Sequence, residues 1–272
     1  MISDLRRDLL VTTALNPVPA LVERALSLAT ELNASFFPRN GLSMPRLFEA
    51  NPDARRVLVV RADRLTLRDP ADNELFYHPN LSFLRLGNLL RGGNDLLPEA
   101  ADLRPGDSVL DATLGYAAEA ILCAHVVGPS GEVHGVEAVP ELGVLVREGL
   151  QTVTTDLIPL NEAMRRIRVV HMGHHLDYLR ACPDDRYDVL CFDPFFERVL
   201  EGSEHMMEPL RRFGDTSPLL PETIAEARRV ARRRIVVKAP RSSSVLADLG
   251  FTETVGSRKG RVVYGIVCRD RD

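Results

Sequence analysis

Short apolar, β-branched runs recur in the second half of the chain. Four of them cover residues 108–111, 133–137, 168–171 and 188–193. Runs of this length are typical of buried strands, and the helical spacing between them predicts βαβ units and a largely parallel sheet. Each run ends on a polar residue, and ligands of an open parallel sheet bind just outside the carboxyl ends of its strands. We therefore expect the polar strand ends to share one binding site.

The pattern continues to the end of the chain. A fifth parallel strand is predicted at 234–238, and strands at 252–255 and 262–267 flank a turn as an antiparallel hairpin. Helices are predicted at 117–127, 140–153, 161–166, 176–181, 221–231 and 243–249. The second half is therefore an α/β sheet of five parallel strands closed by a hairpin.

The first 78 residues are expected to form a small α/β domain, leaving residues 79–272 as the main one. Strands are predicted at 9–13, 56–60, 64–67 and 74–77, and helices at 18–32 and 44–50. Helices at 80–90 and 98–103 then lead into the sheet. Substrate recognition and dimerisation are both open as the role of the small domain.

Composition narrows the class of protein. The chain has 272 residues, of which 45% are apolar and 26% charged, and its net charge is −4. No apolar run reaches the length of a membrane span, and the N-terminus lacks the features of a signal peptide, so we expect a cytoplasmic protein. The four cysteines form no C-x-x-C motif, which predicts reduced thiols and no metal site. The negative net charge gives no global basic field for nucleic acid, although arginines cluster at 228–234.

The first strand leads into a turn of small residues, 111–119, that contains one glycine. Such a turn lets the backbone approach a ligand at the start of a helix. The glycines of a dinucleotide-binding G-x-G-x-x-G are missing, which argues against a nicotinamide-dependent reductase. Asp111 suits a cationic ligand such as the amino-acid end of S-adenosylmethionine. Asp111, Thr113 and Gly115 are therefore candidate cofactor-binding residues.

The next two strand ends are candidates for the nucleoside part of the same ligand. Glu137 lies where a carboxylate accepts hydrogen bonds from ribose hydroxyls. His174 and His175 follow the third strand and are predicted to lie over the adenine, although a plain loop pair is also open.

The fourth strand ends in Asp193-Pro194-Phe195-Phe196, and we interpret these four residues as catalytic. Pro194 fixes the turn and holds the aromatic rings beside the carboxylate. Asp193 is expected to accept N–H groups of a planar exocyclic amine, while Phe195 or Phe196 stacks on the base that carries it.

Together these stretches resemble a class I S-adenosylmethionine-dependent methyltransferase. They resemble more closely the RsmJ type of small-subunit ribosomal RNA guanine-N2 methyltransferase and its Gram-positive relatives. The likeness covers about residues 79–272 and rests on 110–115, Glu137, 174–176, 187–196 and 234–241. It implies a Rossmann-like, seven-stranded class I methyltransferase sheet with S-adenosylmethionine as cofactor.

The resemblance also implies cofactor contacts at Ala118, Glu119, Glu137, Ala138, His174, His175 and Asp193. The chain departs from the family in two of these places. It has Ala118-Glu119 where the family has Arg-Asp, and His174-His175 where the family has Ser-Ser.

RNA of the small ribosomal subunit or its precursor is the partner we expect, with guanine N2 as the favoured target. Phosphate contacts are predicted from Lys238, Arg241, Arg258 and Lys259. Methylation of a small molecule or a protein side chain remains an alternative, as does a non-catalytic protein that binds the cofactor.

Overall fold

The structure is a computed structural model that describes residues 5–195, 204–258 and 260–269. Phe196 and Lys259 lie outside the described residues. The chain divides into two units, of which the smaller contains residues 5–77 and 140–149 and the larger contains 78–139 and the described residues from 150 onward.

The smaller unit is built on a five-stranded sheet. Its strands are β1 (Arg6–Thr13), β2 (Ala34–Phe36), β3 (Arg56–Val60), β4 (Leu65–Arg68) and β5 (Glu74–Leu75), and its first helices are α1 (Pro19–Glu31) and α2 (Met44–Ala50). The spatial order is β2-β1-β3-β4-β5. β1 is parallel to β2 and β3, whereas β3, β4 and β5 form an antiparallel meander.

The larger unit begins with two helices and a seven-stranded sheet follows. In chain order, the elements up to the third strand of this sheet are α3 (Asn80–Leu90), α4 (Leu96–Ala101), β6 (Ser108–Asp111), α5 (Ala118–Val127), β7 (Glu132–Glu137), α6 (Pro140–Thr152), α7 (Ile158–Arg166) and β8 (Ile167–Met172). The remaining elements are α8 (His175–Ala181), β9 (Tyr187–Phe192), α9 (Glu204–Phe213), α10 (Pro221–Val230), β10 (Ala231–Pro240), α11 (Val245–Asp248), β11 (Glu253–Val255) and β12 (Val262–Cys268).

The sheet confirms the predicted fold class. The strand order is β11-β12-β10-β9-β6-β7-β8, in which the five strands from β10 to β8 are parallel. β12 pairs antiparallel with both β10 and β11. β6 and most of β9 are buried along their length, as is usual for the central strands of a parallel sheet.

The order of the strands reverses between β6 and β9. The chain runs from β6 outward to β8 on one side and returns to add β9 and β10 on the other. At such a switch point the loops that leave two adjacent strands diverge and open a crevice at their carboxyl ends. Asp111 ends β6 and Asp193 follows β9, so both predicted site residues border this crevice.

Most of α6 belongs to the smaller unit. The Glu141 side chain, in the first turn of α6, is fully buried and accepts hydrogen bonds from Arg6 and Arg56, each at 2.9 Å. At Gly149 an added Cβ would lie 2.2 Å from the Tyr77 ring, so this turn of the helix requires glycine. The two units are therefore not separated by a single boundary near residue 78, which is the boundary that the sequence predicted.

No helix in the described part of the chain is both long and apolar enough to cross a bilayer.

Candidate functional site

The carboxyl end of β6 is fastened to the helix that follows it. Asp111 is 1% exposed, and its carboxylate accepts hydrogen bonds from the backbone N–H groups of Thr113 (3.2 Å) and Ala120 (3.1 Å). Burial and the nearby charge of Glu119 raise the pKa of Asp111 to about 8. The loop between β6 and α5 therefore turns around a carboxyl group that takes up a proton near neutral pH.

Gly115 lies in this loop and has a backbone conformation that favours glycine. Its φ of +48° lies in the left-handed region, and an added Cβ would lie 3.2 Å from Leu210 of α9. Its N–H donates to Glu137 at 3.0 Å. A glycine here combines the required backbone conformation with a close approach of the loop to α9.

Glu137, at the end of β7, lies beside the same loop. Its side chain is buried, and the second carboxylate oxygen accepts the N–H of Val139 at 3.0 Å. Ala138, the next residue, is half-buried.

A row of alternating charges lies at the carboxyl ends of β9 and β10. The Asp193 carboxylate contacts the Lys238 ammonium group at 2.7 Å, and this ammonium group contacts Glu119 at 2.9 Å. Glu119 also contacts Arg85 of α3 at 2.7 Å, and Arg85 contacts Asp95 at 2.8 Å. We call Asp95, Arg85, Glu119, Lys238 and Asp193 the charge chain.

The members of the charge chain differ in how far their side chains are exposed to solvent. The Asp193 side chain is 22% exposed and Lys238 is 17% exposed, whereas Glu119 is 6% exposed. Burial alone would raise the pKa of Glu119, but Lys238 and Arg85 hold it below its usual value. Burial and Glu119 raise the pKa of Asp193 to about 6 although Lys238 opposes them. Asp193 is thus the most exposed member of the charge chain.

The backbone around Asp193 joins the two strand ends. The Asp193 N–H donates to the Thr113 hydroxyl at 2.6 Å, which connects β9 to the β6 loop. The Phe195 ring lies 5.6 Å below the Arg211 guanidinium, and an added Cβ at Gly214 would be 2.9 Å from it. Asp193, Pro194 and Phe195 therefore lie together at the switch point.

The histidine pair has local roles. The Nδ1 atom of His174 accepts the N–H of Leu176 at 3.2 Å and caps α8. His175 is 8% exposed, packs edge-on against Phe192 and faces the Thr223 hydroxyl at 3.4 Å. Burial and His174 lower the pKa of His175 to about 4. Half-buried His174 offers more surface to a ligand than His175 does, and contact of either with adenine stays a prediction.

The predicted phosphate contacts lie in different surroundings. Arg241 donates to the carbonyl groups of Gly260 (3.0 Å) and Ser257 (2.6 Å), so it supports the hairpin turn in which Arg258 is exposed. Lys238 belongs to the charge chain, where a phosphate would compete with two carboxylates for its ammonium group.

Comparisons with known proteins show the family and the fold of this chain. The family described as "Putative SAM-dependent methyltransferase" matches residues 46–264. The chain belongs to this family. Uncharacterized protein YpiP of Bacillus subtilis is 34% identical over 95% of this chain and 98% of its own. A SAM-dependent methyltransferase from Neisseria gonorrhoeae, solved by crystallography, has the same fold, with a TM-score of 0.62, 19% identity and 95% of both chains covered.

More distant relatives carry a more specific name. Two proteins called ribosomal RNA small subunit methyltransferase J come from Pseudomonas paraeruginosa and Thioalkalivibrio sulfidiphilus. They are 28% and 31% identical over 57% and 52% of this chain. The chain covers only 59% and 54% of their lengths.

The protein is therefore a methyltransferase that uses S-adenosylmethionine, and the charge of the site fits that cofactor. The charge chain has three carboxylates and two cationic groups, which leaves one negative charge in excess. A sulfonium and an ammonium group suit this excess of negative charge.

Arg85 and Asp95 are members of the site that sequence reasoning missed. Arg85 stands in the middle of a helix with the sequence NLSFLRLGNLL, and its side chain is only 16% exposed. An isolated arginine in an apolar helix is a signal for a buried ion pair, because a buried charge requires a partner.

The cysteines lie apart from any metal-like cluster. Cys123, Cys182 and Cys191 are buried and Cys268 is exposed, and all four are free thiols. Within the described ranges, no group of three or more histidine, cysteine or acidic residues is arranged to hold a metal ion.

Proposed function

We propose that this methyltransferase methylates an exocyclic amine of a base in RNA, with guanine N2 of small-subunit ribosomal RNA as the favoured target. The observation that carries the proposal is the pairing of a reachable carboxylate, Asp193, with the aromatic ring of Phe195 directly after β9. The name of the ribosomal RNA small subunit methyltransferase J relatives supports the same substrate class.

The residues of this chain supply position and hydrogen bonding. The Asp193 carboxylate accepts the N–H groups of the amine and aims its nitrogen, while Phe195 stacks on the base. Pro194 has no N–H that would compete for the carboxylate. When bound, S-adenosylmethionine supplies a methyl group on a positively charged sulfur, so positioning accounts for most of the catalysis.

The residues proposed to hold the cofactor surround the loop after β6. They are Asp111, Thr113, Gly115, Ala118, Glu119, Glu137, Ala138, His174, His175 and Asp193. Arg241 and Arg258 are proposed to contact RNA phosphates from the hairpin turn. The smaller unit is proposed to serve substrate recognition or dimerisation.

The test is transfer of tritiated methyl groups from S-adenosylmethionine. Small ribosomal subunits, their free RNA, a protein extract and a metabolite pool are offered in parallel. We expect counts in RNA, and we expect Asp193→Ala to lower them by about 100-fold or more because the amine is no longer aimed. Asp248→Ala, on the exposed face of α11, is the control and should retain full transfer.

Binding of S-adenosylhomocysteine, followed by calorimetry, separates the two roles of Asp193. In Asp193→Ala we expect binding that is weaker but still measurable, since the β6 loop keeps its other contacts. Counts confined to the protein or metabolite fraction would contradict the RNA substrate, and full transfer by Asp193→Ala would contradict the role of this carboxylate.

A further inference from the structure

Among the residues that the structure describes, the Asp193 carboxylate has one ion pair. Charged or titratable side chains face it from five elements: Asp111 of β6, Glu119 of α5, Arg85 of α3, Lys238 of β10 and Tyr264 of β12. Among these, the Lys238 ammonium group forms the ion pair at 2.7 Å. Lys238 is therefore the group that offsets the burial of Asp193 and its repulsion by Glu119.

Lys238 is itself held from the opposite side. Its ammonium group contacts Glu119 at 2.9 Å, and Glu119 is bound in turn by Arg85, which Asp95 holds with two hydrogen bonds at 2.8 and 2.9 Å. Burial alone would lower the pKa of Lys238, but Asp193 and Glu119 raise it above its usual value. The ammonium group thus stays charged and in a fixed position between the two carboxylates.

We propose that Lys238 is a positioning residue that keeps Asp193 ionised and oriented for the substrate amine, and that Glu119, Arg85 and Asp95 hold Lys238 in place. This inference rests on the proposed function of Asp193 as the acceptor of the amine N–H groups. Only the ionised carboxylate offers both oxygens purely as acceptors, because protonation converts one of the two oxygens into an O–H donor. Lys238 is in this view an interior electrostatic partner and not a phosphate contact.

The experiment measures the ionisation of Asp193 without any acceptor. Aspartate carboxyl carbons are labelled with carbon-13 and titrated by NMR, and the Asp193 signal is assigned by its loss in Asp193→Asn. We expect Lys238→Met to raise the pKa of Asp193 by about 1 to 3 units, as removal of a direct cationic partner does. Lys238→Arg should keep the pKa near its value in the unaltered protein.

Arg232→Met is the matched control for loss of a cationic group from β10. Arg232 lies six residues before Lys238 in β10, which corresponds to about 20 Å along the strand. Its guanidinium group contacts Asp188 at 3.3 Å. Arg232→Met should leave the pKa of Asp193 unchanged. If Lys238→Met is too unstable for the titration, Lys238→Met/Glu119→Gln has the net charge of the unaltered protein and is compared with Glu119→Gln alone. Because Glu119 raises the pKa of Asp193, only this comparison isolates the loss of the Lys238 ion pair, and the double variant should have the higher pKa.

A second measurement connects the pKa to catalysis. The acid limb of the kcat/KM profile for methyl transfer to RNA should move upward in Lys238→Met by the same amount as the pKa of Asp193. An unchanged pKa in Lys238→Met, or an equal rise in Arg232→Met, would overturn the proposal. If no RNA accepts a methyl group, the proposed function fails, whereas the NMR titration still decides the role of Lys238.

Discussion

Gly135, in the middle of β7, makes room for Leu114 of the cofactor loop. An added Cβ would lie 2.5 Å from one methyl group of Leu114 and 2.8 Å from the other, and Leu114 is 2% exposed. The Leu114 N–H also donates to the Val136 carbonyl at 2.9 Å, so the loop has little freedom to retreat.

We therefore expect Gly135→Ala to lower the free energy of unfolding by about 1–3 kcal/mol, the usual effect of overpacking. Binding of S-adenosylhomocysteine should weaken as well, because the displaced loop contains Thr113 and Gly115. Urea denaturation and calorimetry measure the two effects. Gly87→Ala, in α3, is the control, since its Cβ has space and should not destabilise the helix. If the two variants are equally stable, the Leu114 side chain moves aside for the added methyl group at no cost in stability.

The sequence was a good guide to residues whose position follows from the end of a strand. Asp111, Glu137 and Asp193 lie where the apolar runs predicted, because parallel strands bring their carboxyl ends to one edge. Their hydrogen-bond partners were not predictable, since Ala120, Gly115 and Lys238 come from other parts of the chain. The histidine pair shows the same limit, because which ring is buried depends on Phe192 and Thr223 across the fold.

At the scale of elements, α6 depends on one buried acid. Glu141 is enclosed by Arg6 of β1 and Arg56 of β3 within the smaller unit. Glu141→Gln removes the buried charge that Arg6 and Arg56 contact, while Arg6 keeps its ion pair with Asp8 at 3.0 Å. We expect a loss of about 3 kcal/mol in the free energy of unfolding, at the lower end for buried pairs because the arginines are partly exposed.

Glu148→Gln, on the same helix, is the comparison for this prediction. Its ion pair with Arg24 is about 30% exposed on both sides, so the loss should be below about 1 kcal/mol. Both variants are measured by denaturant unfolding. A loss from Glu148→Gln as large as that from Glu141→Gln would mean that burial is not what distinguishes the two acids.

α9 is the helix that the sequence did not predict. Pro209 lies inside it, and proline ordinarily ends or kinks a helix because it lacks an N–H and crowds the preceding turn. Tertiary packing outweighs this preference, since Leu210 and Phe213 are buried and Leu210 approaches Gly115. The strands of the sheet, in contrast, were predictable because most of them contain a short run of apolar, β-branched residues.

For the whole molecule, the raised pKa of Asp111 predicts how stability changes with pH. The folded protein holds a proton on Asp111 up to about pH 8, whereas the unfolded chain releases it near pH 4. The folded state thus binds more protons in that range, and the free energy of unfolding falls as the pH rises. Histidines with lowered pKa values, such as His175, act in the opposite direction, but only below about pH 6.5.

The effect of Asp111 on stability is therefore separate from that of these histidines between pH 6.5 and 8.5. There we expect Asp111 to contribute a decrease of about 2 kcal/mol in unfolding free energy. Asp111→Asn should flatten this part of the profile, because no proton is bound or released at that position. Denaturant unfolding at several pH values gives the comparison. Parallel profiles for the two proteins would show that Asp111 is ionised throughout.

The charge chain also constrains how this enzyme can change over generations. Each of its three inner members contacts neighbours of opposite sign on both sides. Replacing Lys238 or Arg85 alone leaves Asp193 or Asp95 without its ion pair. Two replacements of opposite charge at one end, such as Arg85→Met with Asp95→Asn, remove a whole pair and leave Glu119 paired with Lys238. We expect strong epistasis as a result, in which Arg85→Met is better tolerated for folding after Asp95→Asn than before it. Drift at these positions should proceed in pairs, and the order of substitution will matter more here than at the surface.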